Sequence, residues 1–393
     1  MDIAMWKTTS PRPAATWLRM VSNAARPRDT KHKNTNNKVS SGQGISNEQQ
    51  RFLHSVHMAA QELDVEQFHT KLKSFAYHNT GVDFSADLFP IMIRLKDEYG
   101  LENIGATAIS DWLWALPRVG LKIGNPQHRA LTMELVHRFV GINGLTPRQV
   151  TTSLGGLARM RFKWSQLPEQ MRTDIVTALD LVAINFNDRE IGNCLHSLSK
   201  LQIPWTSLPP SVRSALLEVF VRESAALISQ QGSMAIYSLG MMGLDITSTP
   251  QAIQDHIYLV GSTVVQEASH NRRRTVAQQV TNVVYGFAKM ACKWPTIPPH
   301  VQRGITDAIL SLHQSLNEQE VANLLYSLGL VECKWENLDP EVQHVLLDTT
   351  AERFPRMIAQ GLSCSIYGLA LMGAKWCDFP PSLCSAAAEG IRH

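Results

Sequence analysis

The sequence predicts an all-α protein, an α-solenoid of about seven helical hairpins of 41 residues each. Trp164, Trp205, Trp294, Trp335 and Trp376 keep a 41-residue spacing once Ile246 fills the missing place and one gap of 48 is allowed. A second column lies nine residues upstream and shows the same gaps. It consists of Trp114, Gly155, His196, Tyr237, Tyr285, Tyr326 and Tyr367. Two columns that share one period and one seven-residue insertion indicate an internal repeat, which is typical of solenoids.

The residues before the repeats divide into two further regions. Residues 1–44 carry eight basic side chains against two acidic ones and little that is apolar, so we expect a disordered basic leader. This profile is typical of an organellar transit peptide, and a basic tail of a cytoplasmic protein is the alternative. Residues 45–100 contain apolar residues at helical spacing, and we expect them to form a helical cap on the array.

Residues 101–393 form the predicted repeat array, and each unit is expected to contain two helices. In the unit at 317–357, Asn317 and Glu320 resemble a capping box at the start of the first helix. Asp339–Pro340 marks the start of the second helix, since proline is favoured at the first helical position. The insertion falls near residues 268–275. No segment alternates in polarity with a period of two, so we expect no sheet.

We call the second column, Trp114 to Tyr367, the aromatic column. The residue that follows it is small in every unit. These residues are Ala115, Gly156, Ser197, Ser238, Gly286, Ser327 and Gly368. Glycine within a helix costs about 1 kcal/mol relative to alanine, so a compensating interaction is expected. Close packing between neighbouring helices is one explanation, and a groove that admits a ligand backbone is the other.

The motifs of several enzyme classes are missing from the sequence. No phosphate-binding glycine loop, nucleophile elbow, HExxH or paired CxxC occurs. His54 and His57 lie one helical turn apart, but two imidazoles without a third ligand are typical of a surface. We therefore predict a protein that is not an enzyme and has no cofactor, metal or small-molecule substrate. No run of 18 apolar residues occurs, so no membrane span is expected.

Polar columns flank the aromatic column and suggest a binding surface. Three residues before it, the sequence places amides at Asn193, Asn282 and Asn323. Basic residues stand four and eight residues after it. They are Arg118, Arg159, Lys200 and Lys289, and then Lys122, Lys163, Lys293, Lys334 and Lys375. Spacings of about four should place these columns near one helix face. Amides can hydrogen-bond to base edges and cations neutralise phosphates, but a solvated face with helix-bridging amides is an equally open interpretation.

The charge distribution limits how strong a nucleic-acid interaction can be. The whole chain carries a formal charge of +3, and the ten charged leader residues account for +6, so the rest carries −3. Binding to RNA would therefore depend on local clusters of basic residues. The insertion supplies such a cluster with Arg272, Arg273 and Arg274.

Three segments carry a family resemblance. ANLLYSLGLVECKW at 322–335, TNVVYGFAKMACKW at 281–294 and CSIYGLALMGAKW at 364–376 resemble the helical repeats of the octotricopeptide and related organellar families. The resemblance covers about residues 107–393. The period of 41 is longer than that family's nominal length, and the sequence does not contain the RAP domain that often accompanies such repeats.

The resemblance implies a non-catalytic RNA-binding protein of the mitochondrion or plastid. Members of these families act in RNA processing, stability or translation, or as parts of mitochondrial ribosomes. The implied partner is single-stranded RNA, and the implied RNA-contacting amides are Asn193, Asn282 and Asn323. The alternative is a protein-interaction scaffold or a structural subunit of an organellar ribonucleoprotein.

Overall fold

The computed structural model describes residues 47–62, 64–78, 83–270 and 274–392. Over these residues the chain is all α, without a strand, as the sequence predicted. The expected basic leader, residues 1–44, lies outside the described residues, as do the first two residues of the expected cap. None of the described helices is both long and apolar enough to cross a membrane.

Three helices precede the repeats, and they are α1 (Asn47–Gln61), α2 (Val65–His78) and α3 (Ser85–Leu95). A π-helical turn (Lys96–Gly100) and a 3₁₀ turn (Leu101–Asn103) follow. Phe75 of α2 stacks on Phe52 of α1, with ring centroids 3.7 Å apart. The ring of Phe68 in α2 packs edge-to-face with that of Trp112, which lies in the first helix of the array, and the two ring centroids are 5.3 Å apart. The α2 helix thus covers the first repeated helix and buries its apolar side.

Seven helix pairs follow in the described part of the chain. The first helices of the pairs are α4 (Ala106–Ala115), α6 (Pro147–Arg159), α8 (Asp188–Lys200), α10 (Ser229–Met242), α12 (Arg274–Lys289), α14 (Glu318–Leu330) and α16 (Ala359–Met372). The second helices are α5 (Pro126–Val140), α7 (Glu169–Val182), α9 (Pro210–Glu223), α11 (Gln251–His270), α13 (Pro299–Leu312), α15 (Pro340–Arg353) and α17 (Pro381–Arg392).

The pairs stack in chain order. Each first helix packs against the first helix of the next pair, and each second helix packs against the next second helix. The two rows enclose a continuous apolar core, which confirms the predicted α-solenoid. The predicted helix starts are also confirmed, since Asn317 and Glu320 form a reciprocal capping box and Asp339 caps a helix that begins at Pro340.

The repeat also fixes the turn between the two helices of each pair. One residue per pair, six positions after the aromatic column, adopts a left-handed conformation with φ between 60° and 100°. These residues are Gly120, Arg161, Gln202, Gly243, Ala291, Glu332 and Gly373. The next residue then donates its N–H to a carbonyl five residues back, as Cys333 does to Leu328 at 3.0 Å. This is the Schellman helix end, and it recurs in all seven pairs.

The tryptophan column starts a short 3₁₀ turn at the edge of the stack. Trp205, Trp294 and Trp335 are each at most 8% exposed, whereas Trp376 in the last pair is 52% exposed. The backbone N–H of Trp164 donates to the carbonyl of Leu201 in the next pair, at 2.8 Å. The tryptophans and these hydrogen bonds therefore join neighbouring pairs along that edge.

The 48-residue gap between Tyr237 and Tyr285 is partly explained by a longer second helix in that pair. Helix α11 has 20 residues, whereas α7, α9, α13 and α15 have 14 each. The extra residues therefore extend this helix toward the predicted insertion, of which residues 271–273 are outside the described part.

The small-residue column lies between the first helices and not in a groove. A Cβ added to Gly156 would lie 2.2 Å from the carbonyl oxygen of Leu113 in the preceding first helix. The same test at Gly368 gives 2.4 Å from the carbonyl of Leu325. The packing explanation is therefore correct, and the ligand-groove explanation is wrong, because neighbouring backbone fills the space.

Candidate nucleic-acid interface

One side of each first helix is left open by the packing. In α14, Ser327 and Leu328 are buried, whereas Asn323 and Tyr326 are partly exposed. A stripe with spacings of three and four residues lies on one side of a helix. We define the open face as four columns of the first helices: the aromatic column and the positions seven before, three before and four after it.

In the last four pairs, the aromatic column forms a row of tyrosine rings that are at least partly exposed. Tyr237 and Tyr285 stack with centroids 5.8 Å apart and planes 25° from parallel. Tyr326 and Tyr367 lie 6.2 Å apart at 35°. Partial burial raises the pKa of Tyr237, Tyr285 and Tyr326, so these phenols stay neutral at physiological pH and can donate hydrogen bonds. In the sequence, this column indicates the repeat, and no binding role was predicted for it.

The three predicted asparagines lie on the open face next to this row. Asn193 is exposed, and Asn282 and Asn323 are partly exposed. Each stands one helical turn before the aromatic position of its own helix. None of the three side-chain amides hydrogen-bonds to another described residue, so their donors and acceptors face solvent. The helix-bridging interpretation of these amides is therefore not supported.

The basic column four residues after the aromatic position also lies on the open face. The Arg118 guanidinium lies 3.7 Å from the ring centroid of Trp114, and the Lys289 ammonium lies 5.2 Å from that of Tyr285. Arg159 and Lys200 are exposed. None of these four cations forms an ion pair with a described carboxylate. Burial, with the nearby charge of Arg159, lowers the pKa of Arg118 to about 10, so it remains charged at neutral pH.

The second predicted basic column lies elsewhere. The first helices end before it, and Lys163, Lys293, Lys334 and Lys375 each directly precede a 3₁₀ turn. The expectation that this column shares the helix face is wrong, because the left-handed residue that ends each helix turns the chain away.

Two of these turn lysines also have acidic partners. The Lys293 ammonium lies 2.6 Å from a carboxylate oxygen of Glu332, and that of Lys122 lies 2.9 Å from Asp83. Lys163, Lys334 and Lys375 are exposed. The remaining predicted cluster is only partly described, because Arg272 and Arg273 lie outside the described residues and Arg274 is the first residue of α12.

A fourth column of the open face was missed by sequence analysis. It lies seven residues before the aromatic position and is exposed in all seven pairs. It consists of Thr107, Arg148, Arg189, Gln230, Gln278, Gln319 and Gln360. The signal was present as a run of four glutamines in register, two helical turns before four tyrosines, but the position lies close to the predicted helix starts.

The only carboxylate in the four columns of the open face is already neutralised. Asp111 is 4% exposed and lies 2.7 Å from the ammonium of Lys73. The other six residues in its column are neutral. The open face therefore combines unpaired cations, unpaired amides and partly exposed rings. Within the described residues, no group of three His, Cys, Asp or Glu side chains is arranged to hold a metal ion.

Comparison with known proteins does not identify a family for this chain. No family model matches the chain, and no curated protein matches it. One similar solved structure is an engineered protein from the Northeast Structural Genomics Consortium, with 11% identity, a TM-score of 0.22, and 61% of this chain and 95% of that chain covered. A second engineered protein from the same consortium shows 12% identity, a TM-score of 0.22, and 86% and 77% coverage.

Proposed function

We propose that this protein is a non-catalytic RNA-binding protein whose open face holds single-stranded RNA. The observation that carries the proposal is the set of unpaired amides and cations beside a row of partly exposed tyrosines, with no free carboxylate among them. Cations neutralise phosphates, and aromatic faces stack on unpaired bases at about 1–3 kcal/mol per base. Amides can hydrogen-bond to base edges.

The cellular role we propose follows the family resemblance of the repeats. The protein would act in RNA processing, stability or translation in a mitochondrion or plastid. It would do so by binding a transcript, without chemistry of its own.

The test compares two triple variants of equal charge change by fluorescence anisotropy with labelled single-stranded RNA. The face variant is Arg159→Gln, Lys200→Gln and Lys289→Gln, and the control variant is Lys163→Gln, Lys334→Gln and Lys375→Gln. Each phosphate contact on single strands contributes about −0.7 to the slope of log affinity against log salt concentration. The slope of the face variant should therefore be less negative by about 2.

The control should keep most of the affinity, because its lysines lie on the turns and not on the open face. A wild-type protein that binds no single-stranded RNA would refute the proposal. Equal losses in the two variants would refute the assignment of the binding site to the open face.

A protein-interaction scaffold, such as a subunit of a ribonucleoprotein, is the second candidate. Apolar Met241, Leu330 and Leu371 replace the cation in three pairs. Trp376 is 52% exposed, whereas Trp205, Trp294 and Trp335 are each at most 8% exposed. A native complex that survives ribonuclease but is lost with Trp376→Ser would favour this candidate over RNA binding.

A further inference from the structure

We propose that the open face is divided, so that the first three pairs bind the phosphates of an RNA strand and the last four pairs stack on its bases. This inference rests on the proposed function and specifies its ligand. The ligand is an RNA whose bases must be unpaired at one end of the bound segment and need not be recognised at the other.

Positive charge is concentrated on the first three pairs. Their open-face columns contain five cations, Arg118, Arg148, Arg159, Arg189 and Lys200. Four of these are exposed, and none forms an ion pair with a described carboxylate. In the last four pairs, the same columns contain one cation, Lys289.

Rings suitable for stacking are concentrated on the last four pairs. There the aromatic column is tyrosine throughout, and Tyr367 is 47% exposed. In the first three pairs, Arg118 covers one face of Trp114, Gly155 has no side chain, and His196 has a buried ring nitrogen without a hydrogen-bond partner. A base would therefore find few open aromatic faces in the first three pairs.

Amides follow the same division. The glutamine column occupies all four of the last pairs, at Gln230, Gln278, Gln319 and Gln360, and two of the three asparagines lie there too. In the first three pairs, the equivalent column is Thr107, Arg148 and Arg189. Hydrogen-bonding groups that can distinguish bases therefore accompany the tyrosine rings, and in two of the first three pairs a guanidinium group takes the place of the glutamine amide.

These two chemistries recognise different parts of RNA. Every nucleotide carries the same phosphate, so a row of cations binds strands of any sequence and accounts for the dependence on salt. Stacking and amide contacts require bases that are not paired to a second strand. The divided face should therefore tolerate missing bases at one end of the bound strand only.

The closing experiment uses one RNA strand in three forms: intact, with abasic sites throughout its 5′ half, and with abasic sites throughout its 3′ half. We expect one abasic form to bind at least about 10-fold more weakly, as expected for the loss of one or more stacking contacts. The other should bind within about 2-fold of the intact strand, since its phosphates are unchanged.

Two variants assign the halves of the strand to the halves of the protein. Tyr285→Leu with Tyr326→Leu should lower the affinity for the intact strand. The intact strand and the more weakly bound abasic form should then bind equally well, with an unchanged salt slope. The triple variant Arg148→Gln, Arg159→Gln and Arg189→Gln should make the salt slope less negative by about 2. It should still bind the intact strand more tightly than that abasic form. Gln319→Ala with Gln360→Ala tests the same half at exposed positions, in case the tyrosine variant does not fold.

The outcomes separate this inference from the proposed function. If wild-type protein binds none of the three strands, RNA binding itself is wrong. If it binds the intact strand and both abasic forms are weakened equally, or neither is weakened, RNA binding stands and the division is wrong.

Discussion

The two sides of the first helices differ in how strictly their residues are constrained. On the packed side, the position after the aromatic column never exceeds serine, and an added methyl group at Gly156 would overlap backbone of the preceding helix. One residue earlier, on the open face, the chain accepts tryptophan, glycine, histidine or tyrosine. Packing at backbone distance excludes all but the smallest residues, whereas the open face admits side chains of very different size.

Two adjacent glycines test this comparison most strongly. Gly156→Ala should destabilise the protein by about 1–3 kcal/mol or more, because the new Cβ would meet the backbone of Leu113 at 2.2 Å. The matched control, Gly155→Ala, meets only the hydroxyl of Ser197 at 3.8 Å. It should stabilise the helix by up to about 1 kcal/mol through higher helix propensity. Urea unfolding followed by circular dichroism measures both, and shifts of the same sign would contradict the comparison.

The sequence alone was sufficient for the fold, because the period of 41 residues constrains every pair in the same way. The tryptophan and aromatic columns located each first helix, and Asp339–Pro340 located the second helix of its unit. The sequence did not reveal which helical residues are covered by the next pair. That depends on the left-handed turns, four of which are formed by Arg161, Gln202, Ala291 and Glu332 instead of the expected glycine.

The left-handed turns allow a second test, with a smaller expected effect, of backbone strain at residues outside both the packed side and the open face. Ala291→Gly should stabilise the protein by about 0.5–1 kcal/mol, because alanine at φ 60° carries steric strain that glycine avoids. Gly243→Ala should destabilise it by about 1 kcal/mol, since φ is 81° and no atom lies within 4 Å of the new Cβ. The reciprocal pair is measured by thermal unfolding, and a destabilising Ala291→Gly would refute the strain argument.

The open face also contains one pH-sensitive position, with the smallest expected effect. Burial, with the charge of Lys200, lowers the pKa of His196 in the folded chain. The unfolded chain then binds more protons below about pH 6.5, so this contribution to stability is full above that pH and is lost as the pH falls through it. His196→Tyr should reduce the fall in unfolding temperature between neutral and mildly acidic pH.

Part of that fall should remain in the variant, because burial also lowers the pKa of His128. His128→Gln is the matched control at a position away from the open face. An unchanged pH dependence in His196→Tyr would show that His196 is not responsible.

The candidate site was less accessible to sequence reasoning than the fold. Asn193, Asn282, Asn323, Arg159, Lys200 and Lys289 share one helix face, as predicted, because they lie within the regular first helices. Arg118 lies three residues past the end of α4 and contacts the Trp114 ring of that face. The turn lysines were misplaced because helical spacing was extended past the end of the helix. The glutamine column and the tyrosine row were not predicted as parts of the open face, because exposure and ring stacking depend on how neighbouring pairs are placed.

Photocrosslinking tests the central claim most directly, because it reports which side of the first helices contacts RNA. Wild-type protein is irradiated with a single-stranded RNA containing 4-thiouridine, and the adducts are located by mass spectrometry. We expect adducts on Tyr285, Tyr326 and Tyr367 of the open face. Adducts confined to the second helices or to the turn lysines, with none on these tyrosines, would contradict the account.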